Sequence, residues 1–241
     1  MKKKSIILAV LCVVLVIFYI KLTDRKNVNI LNELEGEIYY LMKDDDHISK
    51  LYKSDANLKN KTLIYSHKGK GMTSSGGSND NIIDFRYYTE SKKIEFEAMH
   101  NGEWSIFELS MDGSEPKYLR KAKEIKIDDK YRVFNVDVDY INLVSENFYI
   151  HEKNDSIFIN IEGKDKCILK YSGFVRSDIS GATGYTPQGL SPDGKFLVYG
   201  TTGSTGFGFL LGEYKRFIIN LDTKEYTEYI NSQSIQWVIE K

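Results

Sequence analysis

The densest group of side chains that a metal ion could use is the acidic run "DDDH" at residues 44–47. A hard cation such as Ca²⁺ binds through several carboxylate oxygens. Consecutive residues of an extended chain point to opposite sides, however, and the glycine and distal glutamate of an EF-hand loop are missing. The other histidines, His67, His100 and His151, form neither an i, i+4 pair nor an HExxH motif. We therefore predict no metal site and no cofactor, and interpret residues 44–47 as a solvated hairpin tip.

Two further carboxylates, Asp137 and Asp139 in "NVDVDY", share one face of a predicted strand. Such a pair could exchange protons with a substrate if it faced a channel, and the alternative is the hydrated face of an edge strand. Serine hydrolysis is disfavoured because the sequence contains no G-x-S-x-G motif and no helical segments that alternate with strands. The sequence predicts no catalytic residue and favours a protein that is not an enzyme.

Three glycine-rich segments, residues 67–80, 177–189 and 200–213, are long for connections between strands. None ends in the G-K-[ST] of a phosphate-binding loop. Long loops on a rigid scaffold often carry recognition, and aromatic side chains are favoured anchors. The hypothesis is that Tyr185, Gln188, Phe207 and Phe209 contact a ligand, and the alternative is that these segments are mobile connections only.

The overall charge excludes nucleic acid as the expected partner. The chain has 241 residues with 33 lysines and arginines against 34 aspartates and glutamates. The basic residues are dispersed singly, so no basic groove interleaved with aromatic residues is predicted. Three prolines and seventeen tyrosines indicate an ordered, strand-rich body.

The N-terminal segment has the pattern of a membrane anchor. Lys2, Lys3 and Lys4 precede an unbroken apolar run, residues 6–20, which spans roughly 24 Å as a helix if Ser5 is included. We predict a cytoplasmic stub at residues 1–4, a transmembrane signal anchor at 5–22, a connector at 23–35 and an extracytoplasmic domain at 36–241, since positive residues favour the cytoplasmic side. Against a cleaved signal peptide, no A-x-A-like cleavage site follows the apolar run. Against a lipoprotein, Leu11 stands before Cys12, where lipoprotein processing usually needs a small residue. Both remain alternatives, and the composition looks bacterial.

The predicted extracytoplasmic domain reads as all-β. Its apolar segments are rich in β-branched and aromatic residues, many of them alternate with polar residues, and turn sequences separate them. They include "GEIYYLM", "KKIEFEAM", "WSIFELSM", "SIFINIEG", "KFLVYGTT" and "RFIINLD".

These segments repeat. The turn before the long strand falls near residues 36, 91, 146 and 194, which is a spacing of about 50 residues. Each unit holds three or four strands, preceded in two cases by "IIDFRYY" (82–88) and "VDVDYINL" (136–143). Four such units predict a small β-propeller, because radial stacking buries both faces of each sheet. In the clearest turn, "SPDG", Asp193 and Gly194 are interpreted as turn builders and not as a site.

The first unit lacks a leading strand, whereas "SIQWVIEK" at residues 234–241 is a strand with no unit after it. We predict that this segment completes the first blade and closes the ring, with Trp237 buried. The alternatives are an incomplete propeller that pairs with a partner chain, or a β-sandwich.

The segments "LSPDGKFLVY" (190–199) and "HNGEWSIFELSMDGSEPKYL" (100–119) resemble the TolB-type β-propeller repeat. The resemblance covers the second and fourth units well, about half of the extracytoplasmic domain. TolB-type propellers typically have six blades, whereas four units are counted here. The same repeat occurs in binding scaffolds, in the gating propellers of serine peptidases and in some polysaccharide lyases, so the resemblance implies an architecture and no single activity.

Together these features predict a membrane-anchored, extracytoplasmic β-propeller that serves as a non-catalytic scaffold for a protein or an envelope polymer. The alternative is a cell-envelope enzyme, for example one that acts on a polysaccharide, with its site in the propeller channel. An enzyme is expected to gather ionisable groups in a central pocket, and a scaffold to carry a broad aromatic rim.

Overall fold

The structure is a computed structural model that describes residues 27–43, 45, 48–68, 80–112, 114–122, 148–171, 182–204, 216–232 and 234–239. The predicted anchor at 5–22 and the predicted leading strand at 136–143 lie outside these ranges. Within them, no helix is long and apolar enough to cross a bilayer.

The described residues form fifteen strands and one short 3-10 helix, Val28–Glu33. Blade 1 contains β1 (Glu37–Lys43), β2 (Ser49–Asp55), β3 (Thr62–Tyr65) and β15 (Ile235–Val238). Blade 2 contains β4 (Ile82–Tyr88), β5 (Lys93–His100), β6 (Glu103–Ser110) and β7 (Lys117–Lys121). Blade 3 contains β8 (Phe148–Lys153), β9 (Ser156–Ile161) and β10 (Lys164–Leu169). Blade 4 contains β11 (Ala182–Leu190), β12 (Phe196–Ser204), β13 (Arg216–Asn220) and β14 (Tyr226–Glu228).

The four antiparallel sheets stand in a ring, which confirms the predicted small β-propeller and excludes a sandwich of two sheets. Strand β1 illustrates why the blades stack radially. Ile38 and Tyr40 pack against blade 4, whereas the intervening Tyr39 and Leu41 pack against blade 2. Because successive side chains of a strand point to opposite faces, a continuous apolar run serves two neighbours at once.

Blade 4 follows the same rule. Phe196, Val198 and Ile218 face blade 1, and Leu197 and Phe217 face blade 3. The 3-10 helix adds to the seam between blades 4 and 1, since its Ile30 is fully buried there. The second half of the predicted connector therefore packs against the propeller.

The ring closes through β15, as the sequence predicts. Strand β15 pairs with β1 in antiparallel register, with Trp237 opposite Ile38. The indole is 3% exposed, and its Nε1 donates a hydrogen bond to the carbonyl of Glu35 at 2.8 Å. Gly36 precedes β1 at φ +89°, and a Cβ there would overlap the carbonyl oxygen of Val238. The approach of the two segments therefore requires glycine.

A side-chain amide links blade 1 to blade 2 beside this closure. Gln236 Oε1 accepts a hydrogen bond from the Tyr87 amide, and Gln236 Nε2 donates to the Tyr87 carbonyl, both at 2.7 Å. The amide thus occupies both backbone groups of Tyr87 in the way a neighbouring strand would. Gln236 is buried, so the pair fixes the two innermost strands relative to each other.

The "SPDG" turn is built as predicted. Asp193 Oδ1 accepts hydrogen bonds from Ser191 Oγ at 2.5 Å and from the Lys195 amide at 3.1 Å. Gly194 has φ +73°. These contacts use the carboxylate to hold the turn that leads into β12.

We predict that deletion of residues 234–241 abolishes cooperative folding, because it exposes the inner edge of β1 and removes the Trp237 indole from the seam between blades 1 and 4. Trp237→Ala alone should lower the free energy of unfolding by about 3–5 kcal/mol. Thermal unfolding followed by circular dichroism measures both. A chain lacking only residues 240–241 is the matched control, and an unchanged melting temperature after the longer deletion would contradict the closed ring.

Candidate functional site

A cavity of about 870 Å³ lies where the innermost strands end, and residues from all four blades line it. Its described lining is mainly apolar, with Arg86, Tyr87, Tyr88, Glu90 and Asp193 as the ionisable side chains. The Arg86 guanidinium carbon lies 4.6 Å from the centre of the Tyr88 ring. Burial raises the pKa of Tyr88, and the nearby Glu95 adds to the shift.

The Asp193 carboxylate is engaged in hydrogen bonds within its own turn and so offers little to a ligand in this cavity. Its partial burial favours the protonated form, but the hydrogen bonds from Ser191 and Lys195 outweigh burial and lower the pKa of the carboxyl. Glu90, in the turn at 89–92, is the other carboxylate of the described lining, and no hydrogen bond of the kind that holds Asp193 ties its side chain to the turn.

The connections between strands divide the ring into two unlike faces. On the first face, here called the turn face, lie residues 56–61, 89–92, 111–116, 162–163, 191–195 and 221–225. The opposite face, here called the loop face, receives the strand ends that flank residues 66–81, 170–181 and 205–215. This assignment follows from the antiparallel order of every blade.

Side-chain acceptors hold the turns of the turn face. Asn220 Oδ1 accepts from the amides of Asp222 and Thr223, at 2.9 and 3.1 Å. Asp112 Oδ1 accepts from the Ser114 amide at 2.9 Å. Short turns that satisfy their own backbone groups leave few polar groups for a partner. Three of the longer connections, at residues 66–81, 170–181 and 205–215, leave described strand ends at the loop face and return to that face.

Tyr185, predicted as a ligand contact, lies in the middle of β11 at the seam between blades 3 and 4. Its ring centre is 5.5 Å from that of Tyr171 and 5.2 Å from that of Tyr199, both in edge-on geometry. Its amide donates to the carbonyl of Asp155 at 3.0 Å. The side chain is half-buried, so one part packs in the seam and the rest is open to contact.

Gln188 lies on the same strand as a bulge residue. Pro187 pairs with Tyr199 and Gly189 pairs with Val198, which leaves Gln188 without an opposite residue. Bulges redirect a side chain relative to the regular pleat. Phe207 and Phe209 lie outside the described residues, so the structure brings together Tyr185 and Gln188 on β11 only.

Glu152, an acidic residue of β8, contacts Thr186, the residue that follows Tyr185 in β11. Burial raises the pKa of Glu152, while a 3.3 Å hydrogen bond from Thr186 Oγ1 opposes the shift. Thr186 follows Tyr185 directly in β11, so Glu152 contacts the strand one residue away from the tyrosine. The sequence analysis missed Glu152, because its proximity depends on the packing of blade 3 against blade 4.

Asp84 and Glu97 form a second feature that the sequence analysis missed. They pair across β4 and β5 and are 6% and 3% exposed. Burial, with a smaller effect from the negative charge of Glu97, raises the pKa of Asp84 to about 7 against the hydrogen bonds from the Phe85 amide and Ser234. The available signal was a charged residue inside the apolar run "IIDF".

The described residues contain no group of three or more potential metal ligands. Of the run at 44–47, the structure describes Asp45, which is exposed in a turn. His67 is a buried core histidine whose Nε2 lies 2.8 Å from the carbonyl oxygen of Met99. His151 Nε2 lies 3.1 Å from Asp165, which Lys153 also contacts at 2.8 Å.

No protein-family model matches the chain, and no curated protein matches it. Among solved structures, it is similar to TolB from Acinetobacter baumannii, with 11% identity, a TM-score of 0.29, and coverage of 83% of this chain and 43% of that one. A protein assigned as TolB from Agrobacterium tumefaciens has 13% identity, a TM-score of 0.23, and coverage of 81% and 62%. An oligogalacturonate lyase in complex with manganese has 10% identity, a TM-score of 0.27, and coverage of 83% and 50%.

The chain therefore spans less than two thirds of the length of each of these three proteins. At these identities and TM-scores the matches do not bear on function.

We predict that the stability of the protein falls as pH rises from about 4 to about 7, with a contribution of roughly 4 kcal/mol from Asp84. The folded state holds the Asp84 proton up to about pH 7, whereas the unfolded state releases it near the ordinary value of 3.8. Asp84→Asn should remove this contribution and raise the melting temperature at pH 8. Melting curves at pH 5 and pH 8 test it, with the exposed Asp45→Asn as control. Equal pH dependence in wild type and Asp84→Asn would show that another group is responsible.

Proposed function

We propose that this protein is a membrane-anchored, extracytoplasmic β-propeller that binds a protein or an envelope polymer through its loop face, without catalysing a reaction. The observation that carries the proposal is the asymmetry of the ring. On one face the described connections are short turns, several of them held by their own side chains, whereas three of the longer connections leave from and return to the other face. Recognition on rigid scaffolds usually resides in such long connections.

The chemistry at the end of β11 supports a binding role. Tyr185 packs edge-on against Tyr171 and Tyr199, the adjacent Thr186 donates to Glu152, and Gln188 lies three residues further along the same strand. A rigid aromatic ring loses little conformational entropy on binding, which is why such rings act as anchors. The proposed membrane anchor is supported by the lysines and the apolar run at residues 2–20.

A cell-envelope enzyme, for example one acting on a polysaccharide, is the second candidate, and Asp84 is the observation that favours it. A carboxyl with a pKa near 7 is suited to act as a general acid. Asp84 is only 6% exposed, however, and is not among the residues that line the central cavity. This burial fits a structural carboxyl better than a catalytic one.

We expect Tyr185→Ala to weaken capture of the partner by about tenfold or more, because it removes an aromatic anchor of the loop face. Gln188→Ala should weaken capture to a smaller extent. The measurement is crosslinking and affinity capture of the intact protein from its own membranes, quantified by mass spectrometry. Lys59→Ala on the turn face is the control.

Melting temperatures of all three variants separate a lost contact from a lost fold. Undiminished capture by a folded Tyr185→Ala variant would contradict binding at this position. Capture that depends on Lys59 and not on Tyr185 would assign binding to the turn face.

A further inference from the structure

A mainly apolar cleft opens on the turn face between blades 1 and 2. Its volume is about 530 Å³, within the range of roughly 300–1,000 Å³ that is usual for ligand sites. One wall comes from β1, β2 and β3, and the other comes from the end of β6 and the turn that follows it. The structure describes both walls apart from residue 113, and the cleft shares no described lining residue with the central cavity.

The cleft has a packed apolar floor and an exposed apolar rim. On the floor, Leu109 is 4% exposed, and the centre of the Tyr65 ring lies 5.2 Å from that of Phe96. At the rim, Leu63 of blade 1 is 50% exposed and Met111 of blade 2 is 36% exposed. Exposed apolar side chains on both sides of one concave surface are typical of a contact site, and methionine is enriched in interfaces.

The charged side chains of the lining are mainly acidic. Glu37, Asp55 and Glu115 supply three carboxylates, whereas Lys53 supplies the one ammonium group of the described lining. Lys53 Nζ forms an ion pair with Glu37 Oε1 at 2.7 Å. Asp55 accepts a hydrogen bond from the neutral Asn60 amide at 2.7 Å, which leaves its charge in place. Since neither Asp55 nor Glu115 forms an ion pair with a lysine or arginine of the described chain, the cleft keeps an excess of negative charge.

The charge of Glu115 acts on the interior of the cleft. Burial, with a smaller effect from the negative charge of Glu115, raises the pKa of the Tyr65 hydroxyl. The Glu115 side chain is itself exposed, so a partner can reach it. A cation held between the rims would have a carboxylate on each side, Asp55 from blade 1 and Glu115 from blade 2.

We propose that this cleft binds a lysine or arginine side chain of a protein partner, with apolar residues of the same segment packed on Leu63 and Met111. These two side-chain types combine an apolar stem with a cationic head, so one side chain can use both the apolar floor and the carboxylates. The exposed rims favour a peptide segment over a small amine, which would leave them open to water. The site lies on the turn face, so it goes beyond the proposed loop-face function and does not depend on it.

The test uses the intact protein in detergent and fluorescence polarisation of a labelled pentapeptide of alternating leucine and lysine. We expect the wild type to bind this peptide, and to bind it more weakly at high salt. Glu115→Gln, which removes one carboxylate at nearly constant shape, should weaken binding by about fivefold. Leu63→Ala should also weaken it, because it shortens one apolar rim. Glu162→Gln, at an exposed residue of the turn at 162–163, removes the same charge outside the cleft and should leave binding unchanged.

Two further peptides test the chemistry of the occupant. A pentapeptide of alternating leucine and glutamate should bind the wild type at least about tenfold more weakly, because its charge is repelled. A pentapeptide of alternating glycine and lysine should also bind more weakly, because it has nothing to pack on the rims. Tyr185→Ala should bind the leucine–lysine peptide as the wild type does, since Tyr185 lies in β11 of blade 4.

Three results would overturn the site: no binding of the leucine–lysine peptide by the wild type, equal binding of the leucine–glutamate peptide, or equal effects of Glu115→Gln and Glu162→Gln. Equal binding of the glycine–lysine peptide would overturn the packing role of Leu63 and Met111 and would make the occupant a simple cation. If the site fails while Tyr185→Ala still loses partner capture, the scaffold function stands and only the basic-segment cleft is wrong.

Discussion

Blades 1 and 4 of this propeller have apolar residues on both faces, and a single four-stranded sheet cannot bury either of its faces alone. Strand β1 sends Ile38 and Tyr40 to one neighbour and Tyr39 and Leu41 to the other. The hydrophobic effect therefore stabilises each blade only through its neighbours. The nearly continuous apolar runs, the radial arrangement and the need for ring closure all follow from this one constraint.

Specific polar contacts determine where the neighbouring blades sit. Burial of apolar area is non-directional, so it does not choose one register over another. The Gln236 side chain fixes the register between blades 1 and 2, because its amide group bonds to both the backbone N–H and the carbonyl of Tyr87. Trp237 fixes the register of the closing strand β15 through the hydrogen bond from its indole to the Glu35 carbonyl. The apolar seams provide most of the stability, and these few hydrogen bonds provide the geometry.

The repeat, the "SPDG" turn and the closing strand were predictable because each depends on local turn chemistry or on two-residue periodicity. The Asp84–Glu97 pair and the Glu152–Thr186 contact were not. They arise from the register between strands and from seams between blades, and neither leaves a local signal in the sequence. Of the predicted ligand contacts, Tyr185 and Gln188 do share one strand, but whether they touch a ligand stays a prediction.

Ring closure by β15 has a consequence for the order of events in folding. Trp237 and Glu35 are 202 residues apart in the chain, so their contact has a very large sequence separation. As the chain is synthesised from its N-terminus, the inner edge of β1 stays unpaired until residues 235–238 are present. Contacts of such long range slow folding, and an open strand edge invites pairing with other chains. Blade 1 is thus the first blade to begin and the last to be finished.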